Sequence, residues 1–172
     1  LCRDWSSDVC SSDLASFADA ACSRGEQCVY FLLEESPLQM IRNMRSIGID
    51  LKQWTDRGLL HLLAERPSRF GLESHLAAMY RAIDELRPET VVVDSITDLL
   101  SLGGQAEVEA MLTRLIDYLK TRGVTVLFSS LSAASTDLQQ VHAGVSSLMD
   151  AWILLTLLQT DEIGRASCWE RV

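Results

Sequence analysis

The chain has no uninterrupted apolar stretch of about 18 residues, the length a membrane-spanning helix needs, so it is read as having no membrane span. It has no excess of positive charge either. Fifteen Lys and Arg against 24 Asp and Glu leave a net charge of −9, which argues against a partner such as nucleic acid, whose phosphates call for a basic patch. Its three histidines, His61, His75 and His142, stand far apart, and no Cys or His pair has the spacing of a zinc site. Neither G-x-x-x-x-G-K-[ST] nor G-x-G-x-x-G occurs anywhere, so neither of the common phosphate-cradling loops is present. What the chain does have is ordinary: 172 residues, 48% hydrophobic and 23% charged, the profile of one soluble globular domain.

The two ends depart from that profile. Residues 1–14, LCRDWSSDVCSSDL, hold two near-copies of SSD and show no periodicity; residues 163–172, IGRASCWERV, show none either. Both resemble translated sequencing-adapter DNA and are set aside from fold reasoning. The tails carry −2 and +1, which leaves −8 on 15–162. Setting them aside removes Cys2, Cys10 and Cys168. Cys22 and Cys28 then remain as small packing residues and, with no signal peptide, point to free thiols in a reducing cytoplasm.

Between the tails, helix and strand patterns alternate. Ala15–Arg24 reads as the tail of a helix stopped by Gly25, and 27–33 (QCVYFLL) as a strand buried on both faces. Ser36, Pro37 and Gln39 form a helix start: a cap, a first-turn proline that forfeits no hydrogen bond, and a capping-box partner. Gly48 ends that helix. Further strands are expected at Leu59–Leu63, Thr90–Val93, Val124–Phe128 and Ala151–Leu158, with helical stripes over 72–86 and 108–119. Gly103-Gly104 reads as a plain turn before a helix opening at Gln105, and Trp54 and Trp152 as packing residues. Strands separated by helices imply βαβ units and a mostly parallel sheet in one α/β domain.

In such a sheet, ligands bind where the strands end. Three strands end in polar pairs: Glu34-Glu35, Asp94-Ser95 and Ser129-Ser130. An apolar strand closing on Asp, as in Val91-Val92-Val93-Asp94, is how Mg²⁺ is held in P-loop NTPases, and a glutamate after a neighbouring strand could orient or deprotonate a nucleophile. The plainer alternative is that these acids cap the helices that follow them.

These residues, taken together, resemble KaiC-like proteins of the RecA superfamily. The resemblance rests on CVYFLLEESP at 28–37, IRNMRSIGID at 41–50, VVVDSITDLL at 91–100, MLTRLIDYLKTRGVTVLFSSL at 111–131 and GVSSLMDAWILL at 144–155. It implies a three-layer RecA-like P-loop NTPase core, with a mostly parallel sheet, helices on both faces, and ends that are incomplete. It also implies ATP and Mg²⁺ as cofactors of an intact parent. Glu34 and Glu35 match the family's paired catalytic glutamates, Glu34 polarising the attacking water or hydroxyl and reaching Mg²⁺. Asp94 matches the metal-holding Walker B aspartate, and Ser46 and Ile47 fall where the family contacts nucleotide. Ser146 and Ser147 match the phosphoacceptor pair of autokinase-type repeats, with helix-capping hydroxyls as the alternative. The family assembles as rings, usually hexamers, with nucleotide between subunits.

The expected function is therefore that of a ring-forming ATPase with serine/threonine autokinase capacity, in signalling or circadian-type timing, with other signalling proteins as further partners. The departures are the absent phosphate loop and the absent basic K-x-R-G strand, so the 172 residues alone are expected not to bind ATP. The alternative is a non-catalytic assembly module that binds partners through a RecA-like fold. A RecA-like recombinase fits less well, because the candidate DNA loop at 129–143 contains no Lys or Arg. His142, in the same stretch, reads as a solvated histidine.

Overall fold

The computed structural model describes residues 5–64, 71–130, 148–151, 153–155 and 169–171. Four parallel strands, β1 (Cys28–Leu32), β2 (Leu60–Ala64), β3 (Thr90–Asp94) and β4 (Thr125–Phe128), form one sheet in the order β2-β1-β3-β4. In register, Cys28 lies beside both Leu60 and Thr90, and Leu32 beside both Ala64 and Asp94. Parallel neighbours need crossover segments. These are α2 (Pro37–Ser46) with α3 (Lys52–Asp56), then α4 (Leu72–Leu86), then α5 (Gln105–Thr121). α1 (Trp5–Ser23) precedes β1.

The continuous apolar strands reflect burial on both sides. Val29, Phe31, Leu33, Val91 and Val93 point into one core with Leu76, Met79 and Ile83 of α4 and Met111, Leu115 and Ile116 of α5. Tyr30, Leu32 and Val92 point into the other, with Ala15, Ala18 and Cys22 of α1, Met40 and Met44 of α2, and Trp54 of α3. The result is a three-layer α/β arrangement, as expected from the alternating patterns. The indole N–H of Trp54 donates to Asp19 Oδ1 at 2.6 Å and ties α3 to α1. Ser36 caps α2 through Gln39 N–H, with Pro37 in the first turn, as the sequence indicates. Gly104 caps α5, its N–H donating to Glu107 Oε2 at 3.1 Å.

Three elements differ from the sequence reading. α1 begins at Trp5, ten residues before the periodic stretch at Ala15. Leu14, Ala15, Ala18, Ala21 and Cys22 form its packed stripe, and extending an anchored helix is far easier than nucleating one. A 3₁₀ helix (Ile96–Ser101) follows β3 where no element is expected, capped by Ser95 through Thr97 N–H. The strand expected at 151–158 forms at Ile153–Leu155 (β5), but its partner among the described residues is the antiparallel β6 (Trp169–Arg171) and not the parallel sheet. A short apolar run specifies a strand without specifying its neighbour. Among the described residues no helix is long and apolar enough to cross a membrane.

Candidate active site

All four strands of the main sheet run the same way, so the residues that follow them gather along one edge. After β1 the chain continues alongside β3, with Leu33 N–H donating to Asp94 O at 2.9 Å. This sets the exposed Glu34 next to the last residue of β3. After β4, Ser129 N–H donates to Val93 O at 3.0 Å and Ile96 N–H to Ser129 O at 2.9 Å. The three polar strand ends singled out in the sequence therefore share one edge.

Asp94 is the most elaborately held of them. Ser129 Oγ donates to its Oδ1 at 2.6 Å, Tyr30 OH to its Oδ2 at 3.1 Å, and Ser11 Oγ to the same Oδ2 at 3.4 Å. Tyr30 is fully buried, and Tyr30, Leu32 and Asp94 share one face of the sheet because side chains alternate along parallel neighbours. These hydroxyl donors on both carboxyl oxygens fix its orientation. The Asp94–Ser95 peptide is cis.

A third carboxyl, not singled out in the sequence, joins this edge. Asp98 sits in the 3₁₀ helix, its N–H donating to Ser95 O at 3.2 Å. Burial pushes its carboxyl up to about 6, the adjacent Glu34 charge and a hydrogen bond shared with the Glu34 carboxyl add to the rise, and Asp94 adds less. A backbone hydrogen bond from Ser95 opposes the shift. Its Oδ2 is buried with no donor of its own. The available signal was a second acid one turn beyond a strand-ending Asp. It is weak alone, because only the 3₁₀ turn brings Asp98 back toward Glu34. Next to it, the hydroxyls of Thr97 and Ser130 lie 3.3 Å apart.

The other candidates lie elsewhere. Glu35, half-buried, accepts from Asn43 Nδ2 at 3.4 Å, which ties it to α2. Ser46 and the 57%-exposed Ile47 stand at the far end of α2, about 15 Å from its start at a rise of 1.5 Å per residue. The Ser46 hydroxyl is turned to Asn43 O at 2.6 Å. The structure does not bring these two to the carboxylates of the same chain. Ser146 and Ser147 lie outside the described residues, as do His142 and Trp152. Just after the serines, Leu148 and Met149 pack on the α4–α5 core, and Asp150 pairs with Lys120 at 2.9 Å.

The donor set suits a hard divalent cation, which favours carboxylate and hydroxyl oxygens. Mg²⁺ in particular binds through one or two carboxylates, keeping its remaining positions for water and phosphate. Among the described residues no group of three or more His, Cys, Asp or Glu side chains could hold a metal ion by itself; Asp94 and Glu34 are the carboxylates of this edge that could contribute to one completed by water and phosphate. The same residues do not fit a triphosphate. The only lysines of the chain, Lys52 and Lys120, are in ion pairs with Asp56 and Asp150. A cavity of about 480 Å³ opens at the opposite edge, among Ile83, Asp84, Arg87, Pro88, Arg122 and Val124, and has none of the acidic edge's carboxylates.

A parallel αβα core of this kind is consistent with a RecA-like architecture, here in part. Comparison with known proteins narrows this. The family model described as "ATPase: KaiC" matches residues 14–170, and the chain belongs to that family. It is 41% identical over 147 residues to the circadian clock protein KaiC2 of Synechocystis sp. (strain ATCC 27184 / PCC 6803 / Kazusa), covering 84% of this chain and 26% of that protein. It is 31% identical to KaiC3 of the same strain over 152 residues, which are 85% of this chain and 29% of that protein. It is 28% identical to the circadian clock oscillator protein KaiC of Picosynechococcus sp. (strain ATCC 27264 / PCC 7002 / PR-6) over 155 residues, 89% of this chain and 30% of that protein. The chain thus spans under a third of the length of these relatives.

Proposed function

We propose that these residues form the acidic half of an ATP-hydrolysing site in a KaiC-type protein. In this reading Asp94 is the Mg²⁺-holding carboxylate and Glu34 orients or deprotonates the nucleophile that attacks the γ-phosphate. Glu35 serves as a structural neighbour anchored to α2. The observation that carries the reading is the geometry of Asp94, clamped by the Ser129 and Tyr30 hydroxyls with Glu34 on the adjoining strand end. Preorganised groups of this kind are what phosphoryl transfer draws on, since its catalysis is positioning and charge stabilisation. ATP with Mg²⁺ is the expected cofactor pair, with the phosphates held by groups outside these 172 residues.

The exposed Ser46 and Ile47 at the far end of α2 suit contact with nucleotide or protein belonging to another subunit. That fits ring assembly, with a hexamer as the expected form and the cytoplasm as its setting. For autokinase capacity, the acceptor would be Ser146 or Ser147. In this reading the transfer runs across a subunit interface. A timing or signalling role follows only from the clock proteins the chain is similar to.

The test is Glu34→Gln in a longer protein that carries this segment and a phosphate loop. Phosphate release is expected to fall by about 100-fold or more, on the scale of a lost general base, while size-exclusion shows the ring intact. Unchanged turnover would remove Glu34 from the mechanism. The second reading, a non-catalytic assembly module, is favoured by one observation, the exposure of Leu38 and Ile47 on and just after α2. It would be preferred if both Glu34→Gln and Asp94→Asn left turnover unaltered and only assembly depended on this segment.

A further inference from the structure

Cys22 and Cys28 are six residues apart, one in the last turn of α1 and the other opening β1. A sharp reversal joins them. Gly25, at φ +86°, donates its N–H to Cys22 O at 2.9 Å, and Glu26 N–H reaches Ala21 O at 3.2 Å. This pair of bonds is the Schellman closure of a helix, which turns the chain back on itself and calls for glycine at the left-handed position. The returning strand then passes beneath the helix end. Cys28 N–H donates to Leu59 O at 2.8 Å, and Cys22 Sγ lies 3.8 Å from that same carbonyl oxygen. The same carbonyl thus receives the Cys28 backbone N–H and the Cys22 thiol. Both are free thiols, at 1% and 0% exposure, in the same core.

From this geometry we infer that Cys22 and Cys28 form a peroxide-oxidisable dithiol that closes to an intrachain disulfide. The two thiols are asymmetric in the way such chemistry uses. A hydrogen bond from Cys28 holds the Cys22 thiol below its ordinary value, against opposing effects of burial and of the Asp19 and Glu26 charges. The same contact and burial push Cys28 up. Arg24 lies between them, but its guanidinium is committed to Glu26 at 2.6 Å.

Cys22 thiolate attacks one oxygen of hydrogen peroxide, and with one proton the products are a sulfenic acid and water. Cys28 thiol then attacks the Cys22 sulfur, the S–S bond forms, and hydroxide leaves with the Cys28 proton as a second water. Two thiols are oxidised by two electrons and one peroxide is reduced to two waters. Burial selects a small neutral oxidant, admitted when the helix end opens locally. The bond would staple the last turn of α1, the helix whose Ser11 reaches Asp94, to the first residue of β1. This inference does not depend on the proposed catalytic roles.

Trypsin separates the pair, because Arg24 lies between them and the peptides are 4–24 and 25–42. Cys10 shares the first peptide, so the experiment uses the full chain carrying Cys10→Ser. The native protein is treated with hydrogen peroxide, alkylated under denaturing conditions and digested. The expected result is a 4–24/25–42 cross-linked peptide as the main product, loss of most alkylatable thiol at both positions, and full recovery on reduction. Cys22→Ser and Cys28→Ser should each abolish the cross-link. Persistence of two alkylated thiols, accumulation of sulfinic acid at Cys22 without a cross-link, or linkage only between separate chains would each overturn the inference.

Discussion

Asp98 shows how a single side chain acquires a chemistry that its sequence position does not announce. An isolated Asp titrates near 3.8, whereas here the folded protein holds the proton up to about 6. The folded state therefore binds protons more tightly than the unfolded chain across that interval, and stability falls as pH rises from about 4 to beyond 6. Asp98→Asn should remove that loss. The variant's Tm is expected to match the parent's near pH 4 and to exceed it at pH 7.5. An equal gap at both pH values would mean that the substitution acts through packing. The strand-end acids Glu34 and Asp94 could be located from the sequence because an apolar run stops at each of them. Tyr30 could not, since nothing in CVYFL distinguishes a tyrosine that fills a core from one whose hydroxyl reaches a carboxylate two positions along the next strand.

At the scale of elements, the stripes over 72–86 and 108–119 correspond closely to α4 and α5, and the apolar runs to β1 through β4. Periodicity reports burial, and in these elements burial decides the structure. It fails where local hydrogen bonding decides. The 3₁₀ turn after β3 buries Ile96 and Leu99, but six residues are too few for a periodic stripe, and its form is set by the Ser95 cap and backbone bonds. It fails also for β5, whose partner is non-local. Two leucines illustrate the contrast in energy. Leu115 of α5 is completely buried, and Leu38 of α2 is 82% exposed. Leu115→Ala should destabilise the fold by about 2–5 kcal/mol in a urea titration, as full-size core cavities do. Leu38→Ala should change it by no more than about 0.5 kcal/mol. Comparable losses at both positions would mean that α2 is covered in solution by another surface.

At the scale of the whole molecule, the feature that stands out among the described residues is the acidic edge of the sheet. Carboxylates and hydroxyls at strand ends suit the cation of a nucleotide complex, but Lys52 and Lys120 are in ion pairs with Asp56 and Asp150. Backbone cradles and a lysine supply most of the binding for a triphosphate. Calorimetric titration of the 172-residue chain with Mg·ATP is therefore expected to show no micromolar binding. A dissociation constant in that range would reveal phosphate-binding groups other than a Walker-type loop.

The shared sheet has one more consequence. Neighbouring residues of β1 and β3 belong to opposite cores: Val29, Phe31, Val91 and Val93 to one, Tyr30, Leu32 and Val92 to the other. The two helical layers therefore lean on a common wall one residue thick. Stripping either layer would wet alternate side chains of both central strands and loosen the wall that the remaining layer rests on. Neither half can serve as a free-standing folding unit, and a cut that releases α4 and α5 also undermines α1.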